Sequence, residues 1–393
     1  MISLQIPFMI LIAGGCIYWL LQLVCLGILT KRSVPALKGI EIADSIEWPK
    51  LTIVIPAHNE AHSIEKAVES RLDDDYPYLE FILIDDRSTD GTSEIIDKIA
   101  ARDSRFTSIH IRELPEGWLG KVFAMQRGVS EATGDWFLFS DADVHVKRGT
   151  LKRAISYCET RNVDHLTILP EIWPSTFFVD LLFSIMVRHV YFKMRVWAIG
   201  RKRLSASGGI GAFNLVRRTA FERINGFYRL KLAILDDVAL GKILKQSGAR
   251  CAVLNGREYV GLYWYRSLRE VALGIQRILF GYSAKFNFIR IVASCIFLLW
   301  AELFPFLLLI PVPFLFHPFI GLSFLLISLA TSLSINHWLN RSALSAILFP
   351  IAMPIYIFLI LISAVVDLRR GGIFWGNKFF PTEILNAANR RRR

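Results

Sequence analysis

Three aspartate clusters stand far apart in this 393-residue chain: Asp85-Asp86 in LIDDRSTDGT, Asp141-Ala142-Asp143 in FSDADV, and Asp236-Asp237 in LDDVALG. The first two each close a hydrophobic run that reads as a buried parallel strand, and the carboxyl edge of such a sheet is where open α/β folds take ligands. Acidic groups meeting at one edge repel one another unless a cation lies among them. A divalent metal carrying a diphosphate supplies that charge and turns the cluster into a site for sugar-nucleotide or phosphoryl chemistry.

Each cluster suggests its own task. The Asp141-x-Asp143 spacing presents two carboxylates to one cation bridging a diphosphate, which stabilises the charge developing on a departing nucleoside diphosphate. All-oxygen ligation selects Mg2+ or Mn2+. The loop Pro56-Ala57-His58-Asn59-Glu60 follows an apolar run and brings Asn59 and Glu60 to the same edge. Asn59 either caps the next helix or helps Asp85 and Asp86 form a pocket for a base and ribose, because carboxylates accept from imide and hydroxyl donors. Lys121, in Gly117-Trp118-Leu119-Gly120-Lys121, precedes a helix beginning near Val122 and is either a point charge for a phosphate or a solvated lysine. The glycine-rich residues 207–214 let backbone approach a ligand closely or form a plain turn; they match neither GxGxxG nor GxxxxGK[ST]. Asp236-Asp237 stand before a helix expected over 238–247, where the macrodipole alone accounts for acids. Displacement at an anomeric carbon needs a carboxylate beside the acceptor hydroxyl, separate from those holding metal. Asp237 is the candidate base, with Asp236 orienting it.

The elements that must position these side chains alternate. LTIVIP, a helix over 61–70, FILIDD, a helix over 93–101, SIHIREL, a helix over 122–132 and WFLFSDAD follow one another within residues 51–256. Strand-helix alternation at this spacing predicts an α/β, Rossmann-like domain, a mostly parallel sheet with helices on both faces.

Composition adds a second environment. Hydrophobic residues make up 53% of the chain and the mean hydropathy is +0.41, above what a soluble enzyme carries. Residues 6–30 form an unbroken apolar stretch followed by Lys31-Arg32, which reads as a membrane anchor and places the next domain in the cytoplasm by the positive-inside rule. Residues 291–368 are long enough for two or three further spans, interrupted by Pro311, Pro313 and Pro318. Glu302 within them is either a functional intramembrane acid or a residue facing a neighbouring helix. Three spans would put the basic tail, 369–393, outside, whereas Arg369-Arg370 argue for inside; the span count stays at two or three. The expected organisation is an anchor over 1–30, the α/β domain over 45–260, an interfacial helical segment over 261–290, the apolar block and the tail. Residues 177–197, with Arg188, His189, Lys193 and Arg195, are expected either to lie at a membrane interface with cationic stems reaching head groups, or to pack on the α/β domain.

The net charge of 46 − 34 = +12 is concentrated in short runs beside apolar segments, such as Arg201-Lys202-Arg203, which suits anionic lipid rather than nucleic acid. The five cysteines show no pairing pattern or CxxC spacing, so they imply neither a disulfide framework nor a zinc site, which suits a reducing compartment.

PAHNE, LIDDRSTDGT, GWLGK, SDADV, GAFNLVRRTAFERINGF and LDDVALGKIL, in this order, resemble the family 2 glycosyltransferases of GT-A fold. Flanking apolar segments resemble that family's membrane-bound branch. GWLGK and the closing GGIFWGNKF resemble its bacterial lipid-modifying members, the hopanoid-associated and carotenoid glycosyltransferases, and more distantly ceramide glucosyltransferase. The resemblance implies a UDP-sugar donor, inversion at the anomeric carbon, nucleotide contacts at Pro56, His58, Glu60 and Asp86, metal and diphosphate ligands at Asp141 and Asp143, a diphosphate contact at Lys121 and a base at Asp237. The chain has Asp-Asp where members have Glu-Asp. It also lacks the QxxRW signature of processive synthases, although Arg266, Arg269, Gln276 and Arg277 lie in the corresponding stretch. The expected protein is an inner-membrane, multi-pass enzyme moving one sugar to a lipid acceptor at the cytoplasmic face. A processive polysaccharide synthase and a silent nucleotide-sugar-binding scaffold are the alternatives.

Overall fold

The computed structural model describes residues 2–276, 278, 287–303, 306, 318–375 and 378–391. The expectations resting on Arg277, Pro311 and Pro313, and part of the GGIFWGNKF resemblance, lie outside the described residues. The chain divides into an α/β unit, Val34–Trp173 with Ala198–Tyr263 and Ala388–Arg393, and a helical unit, Met1–Ser33 with Pro174–Trp197 and Trp264–Ala387. A boundary drawn at 45–260 from the sequence takes in the helix Phe177–Met194, which groups with the apolar helices instead.

The α/β unit contains β1 (Leu51–Ala57), β2 (Leu79–Asp86), β3 (Phe106–Ile111), β4 (Trp136–Phe139), β5 (His145–Val146), β6 (His165–Leu169), β7 (Glu171–Ile172), β8 (Asn214–Arg217), β9 (Cys251–Asn255) and β10 (Val260–Leu262). Seven of them make one sheet in the order β3-β2-β1-β4-β8-β6-β9, and β5-β10-β7 make a small second sheet. Every residue of β1, β4, β6 and β9 is buried, which is why these strands read as continuous apolar runs without alternation. Removing each large apolar side chain from water contributes about 1.5–3 kcal/mol. The aromatic cluster of Phe137, Phe139, Phe221 and Phe227, with centroids 4.9–5.6 Å apart in the pairs involving Phe221 or Phe227, fixes β4 against the segment that follows β8.

The sheet is mixed, a refinement of the mostly parallel expectation. β8 runs antiparallel to both β4 and β6, with Phe139 opposite Asn214. An antiparallel strand starts where its parallel neighbours end. The glycine-rich loop leading into β8 is thereby delivered to the edge where the first aspartate clusters lie.

In the helical unit, Ile2–Gln22 continues through a π-helical stretch, Leu23–Leu29, into Thr30–Ser33. Phe288–Leu298 passes likewise into a π-helical turn, Leu299–Leu303, and Pro318–Trp338 and Phe349–Arg370 complete the long helices. Among the described residues two helices, Ile10–Ser33 and Phe349–Arg370, are long and apolar enough to cross a membrane. The described residues of the segment 261–290 include the end of β10, the helix Leu268–Ile275, capped by the Ser267 side chain, and the start of the helix Phe288–Leu298.

Within the helix Phe177–Met194, Arg188 departs from the interfacial expectation. Arg188 does not reach for head groups. Its guanidinium is 3% exposed and donates to both carboxylate oxygens of Glu302 at 2.9 and 2.7 Å and to Gln22 at 3.0 Å, over the ring of Trp19. Asp180, Ser184 and Arg188 recur every fourth residue and so share one helix face. Each meets a polar partner inside the helical unit: Arg341 with Asp180, Ser345 with Ser184, Glu302 with Arg188. Glu302, fully buried, therefore faces neighbouring helices, and Tyr18 also donates to it at 3.0 Å.

Candidate active site

The carboxyl edge of the main sheet is assembled from four loops. β1 and β2 are paired in register with Ala57 opposite Asp85, so their tips lie side by side. Past β1, His58 Nδ1 donates to the Asp86 carbonyl at 2.6 Å, and Asn59, at a positive φ of 59°, accepts at Oδ1 from the Thr89 N–H at 2.8 Å. Asn59 thus ties the two tips together and does not cap a helix. The next helix begins at Ile64, behind Ser63, three residues later than the sequence spacing implied.

Asp85 and Asp86 are buried, and their carboxylates are engaged locally. Asp85 accepts from the Ser88 N–H and lies 3.6 Å from His110, which contacts Asp97 on its other side; Asp86 holds Arg87 at 2.8 Å. Asp86 also abuts Gly120, where a Cβ would collide with its carboxylate. Only glycine lets the helix Gly120–Glu131 start this close to the β2 tip, and Lys121 is its second residue.

Lys121 is the centre of the acidic edge. Its Nζ lies 2.5 Å from Asp141 Oδ1 and 3.9 Å from Asp236 Oδ2. Burial works against its charge, but Asp141, Asp236 and Asp237 together outweigh that and raise its pKa. Pro56, Lys121, Ser140, Asp141, Gly211, Asn214, Asp236 and Asp237 are among the residues lining one narrow cleft. Two of the three aspartate clusters therefore share one cleft. Asp85, Asp86, His58, Glu60 and Asp143 are not part of its wall; the charges of Asp141 and of Glu60 both act on Asp143.

The glycine-rich loop explains how distant clusters meet. The Gly211 carbonyl accepts from the Asp141 N–H at 3.0 Å, while the Gly211 N–H donates to Asp237 Oδ2 at 2.8 Å. A Cβ at Gly211 would press on the Asp141 carboxylate, and one at Gly209 would collide with the Asp237 backbone. The close approach anticipated for a ligand is made to the chain itself. Gly209→Ala is expected to force the loop away from the Asp237 backbone and cost about 1–3 kcal/mol of stability, the usual range for overpacking; thermal unfolding of the variant beside the parent would measure it.

Asp236 and Asp237 are the first two residues of the helix Asp236–Gln246, so the helix starts earlier than 238. Both pKa values are raised, Asp237 to about 7, by burial first and then, for Asp237, by the neighbouring Asp236 charge. Burial, followed by Asp141 and Glu60, pushes Asp143 up to about 7 as well. A carboxylate whose folded pKa exceeds its unfolded value destabilises the fold when ionised, and stability returns as pH falls from about 7 towards about 4. Asp143→Asn is expected to raise the melting temperature of the metal-free protein at pH 8, with the gain gone near pH 4; thermal unfolding at the two pH values checks it.

Among the described residues no three His, Cys, Asp or Glu side chains form a ready metal cage. The donor set nonetheless fits a hard cation that takes the rest of its oxygens from phosphate and water. Asp141 and Asp143 are oxygen donors two residues apart, and burial first, then the Asp141 and Glu60 charges, raises the Asp143 pKa, which a nearby cation would offset. Arg71 was not anticipated from the motifs. Its side chain is fully buried beneath the Asp141 loop, and its sequence signal is an arginine within the apolar stripe Ile64, Ala67, Val68, Arg71. All five cysteines are free thiols, as their spacing implied.

Known proteins resemble this chain in sequence and in fold. Residues 52–224 match the family model for glycosyl transferase family 2. Over 114 residues the chain is 32% identical to a putative teichuronic acid biosynthesis glycosyltransferase of Bacillus subtilis (strain 168), covering 29% of this chain and 44% of that protein. Over 103 residues it is 29% identical to the GalNAc(5)-diNAcBac-PP-undecaprenol beta-1,3-glucosyltransferase of Campylobacter jejuni, covering 26% and 32%. The chain spans less than half the length of these relatives. A mannosyltransferase of Pyrobaculum calidifontis, solved in complex with GDP-Man and Mn2+, aligns over 93% of this chain and 97% of its own, with a TM-score of 0.54 and 18% identity, a likeness of fold. The fold is that of the GT-A proteins, and residues 52–224 are similar to glycosyl transferase family 2.

Proposed function

We propose that the chain is an inverting glycosyltransferase that moves a single sugar from a UDP-sugar to a lipid acceptor at a membrane surface. The observation that carries this reading is the gathering of Lys121, Asp141, Asp236 and Asp237 around one cleft of a family 2 domain. Pro56, His58, Glu60, Asp85 and Asp86 hold the nucleotide along the β1 and β2 tips. Asp141 and Asp143 hold a divalent cation, Mg2+ or Mn2+, which when bound offsets the diphosphate charge and stabilises the leaving group. Lys121 takes a diphosphate oxygen in exchange for part of its contact with Asp141.

Asp237 accepts the proton of the acceptor hydroxyl as its oxygen attacks the anomeric carbon. The bond from that carbon to the diphosphate breaks, and its electron pair leaves with UDP. Backbone N–H groups of Gly211 and Val238 fix the Asp237 carboxylate, and a pKa raised to about 7 suits a base working near neutrality. Asp236, buried beside it, orients it and faces Lys121.

The two helices able to cross a membrane support an acceptor that stays in the bilayer with its hydroxyl at the surface. Lipid-modifying relatives of the hopanoid-associated and carotenoid type, and a cytoplasmic orientation at the inner membrane, fit the same picture. Incubating the purified protein with native lipid extract, a divalent cation and a panel of UDP- and GDP-sugars, with glycolipids identified by mass spectrometry, tests it. A single-sugar glycolipid formed from a UDP-sugar is the expected product. A polymer, or turnover with GDP-sugars alone, would overturn the reading.

A further inference from the structure

Arg71 occupies a place where the sequence pattern calls for an apolar side chain. Ile64, Ala67, Val68 and Arg71 form the buried face of the helix Ile64–Leu72, and the Arg71 side chain has no exposed surface. A buried guanidinium is costly unless its surroundings repay the lost hydration, and a well-packed apolar residue in such a place is neutral or stabilising. Stability therefore does not account for this arginine.

Its contacts do. One terminal nitrogen donates to the Ala67 carbonyl at 2.9 Å. The other donates to Ser140 Oγ at 2.9 Å and to the Asp141 carbonyl at 2.7 Å. Among the described residues it makes no direct ion pair; Asp143 and Asp141 act on its charge through space. Ser140 Oγ in turn donates to the Ala212 carbonyl at 2.8 Å, and the adjoining Gly211 N–H holds Asp237. One bonded path thus runs from Arg71 through the Asp-x-Asp loop to the glycine-rich loop and Asp237.

We propose that Arg71 is a positioning residue: it fixes the backbone of the Asp141 loop from beneath and supplies the permanent positive charge that keeps Asp141 and Asp143 ready for a cation and diphosphate. The inference rests on the nucleotide-sugar reading of the cleft. Lysine keeps the charge but lacks the planar fork that reaches Ser140 and the Asp141 carbonyl together. Methionine removes both and suits the apolar stripe.

The test titrates UDP with Mn2+ into the purified full chain and its Arg71→Met and Arg71→Lys variants by calorimetry, alongside thermal melts. Outer-shell partners of metal ligands are worth about ten- to a hundredfold in affinity. Arg71→Met is expected to lose that much Mn2+-dependent UDP affinity with its melting temperature kept or raised, and Arg71→Lys to fall between it and the parent. A merely structural arginine would do the reverse, lowering the melt and sparing affinity. Parent-like UDP–Mn2+ affinity in Arg71→Met overturns the inference; should that variant not fold, parent-like affinity in Arg71→Lys overturns it and weakened affinity supports it. Failure of the parent chain to bind UDP with Mn2+ would instead overturn the donor reading, and this inference with it.

Discussion

Asp237→Asn is expected to lower turnover by a factor of about 10² to 10⁴, the range that general-base catalysis supplies, while UDP binding survives. Asparagine keeps the size and one carbonyl oxygen, so the Gly211 N–H retains an acceptor and the glycine-rich loop stays in place. What disappears is the group able to take a proton. Turnover of the parent enzyme should also decline as pH falls below about 7, because burial and the Asp236 charge push the Asp237 pKa to about that value and the protonated acid is no base. Asp237→Asn should remove that dependence from its residual activity. Rate measurements across pH beside calorimetry with UDP separate the two effects, and near-normal turnover in Asp237→Asn would remove Asp237 from the role of base.

Glu302→Gln is expected to destabilise the helical unit by about 3–5 kcal/mol, the cost of leaving one buried charge without its partner. Arg188 and Glu302 are 3% and 0% exposed, and what else the guanidinium meets among the described residues is uncharged, Gln22 and the rings of Trp19 and Phe349. The glutamine amide cannot repeat the two-pronged acceptance that the carboxylate offers. Arg188→Met combined with Glu302→Leu removes both charges at once and should regain most of the loss, since apolar replacement of a buried pair is often neutral or stabilising. Melting temperatures of the single and double variants in detergent decide between this and a pair without structural weight: equal melts for Glu302→Gln and parent would exclude the ion pair as a stabilising element.

Both predictions turn on partners far apart in sequence, which is where reading the chain by itself ran short. The strand tips were legible because each is a local pattern, an apolar run ended by acids, and β1, β2 and β4 lie where LTIVIP, FILIDD and WFLF indicate. The helix starts were less so. Ser63, and not Asn59, precedes the helix Ile64–Leu72, because the side chain of Asn59 is spent on the Thr89 N–H across the β1–β2 edge. The cations of Phe177–Met194 looked like membrane-surface residues because composition counts charges and is blind to Glu302, separated from Arg188 by 114 positions.

The α/β class, the family resemblance and the acids that end the strands can be read along one stretch of chain, since they depend on period, run length and motif order. Tertiary structure alone decided which acids share a cleft, that a glycine-rich loop joins Asp141 to Asp237, and that Arg71 and Arg188 are interior residues. The reason is physical. Burial and hydrogen bonding of a charged side chain are set by whichever segment folds against it, and that segment is chosen by the packing of the whole unit.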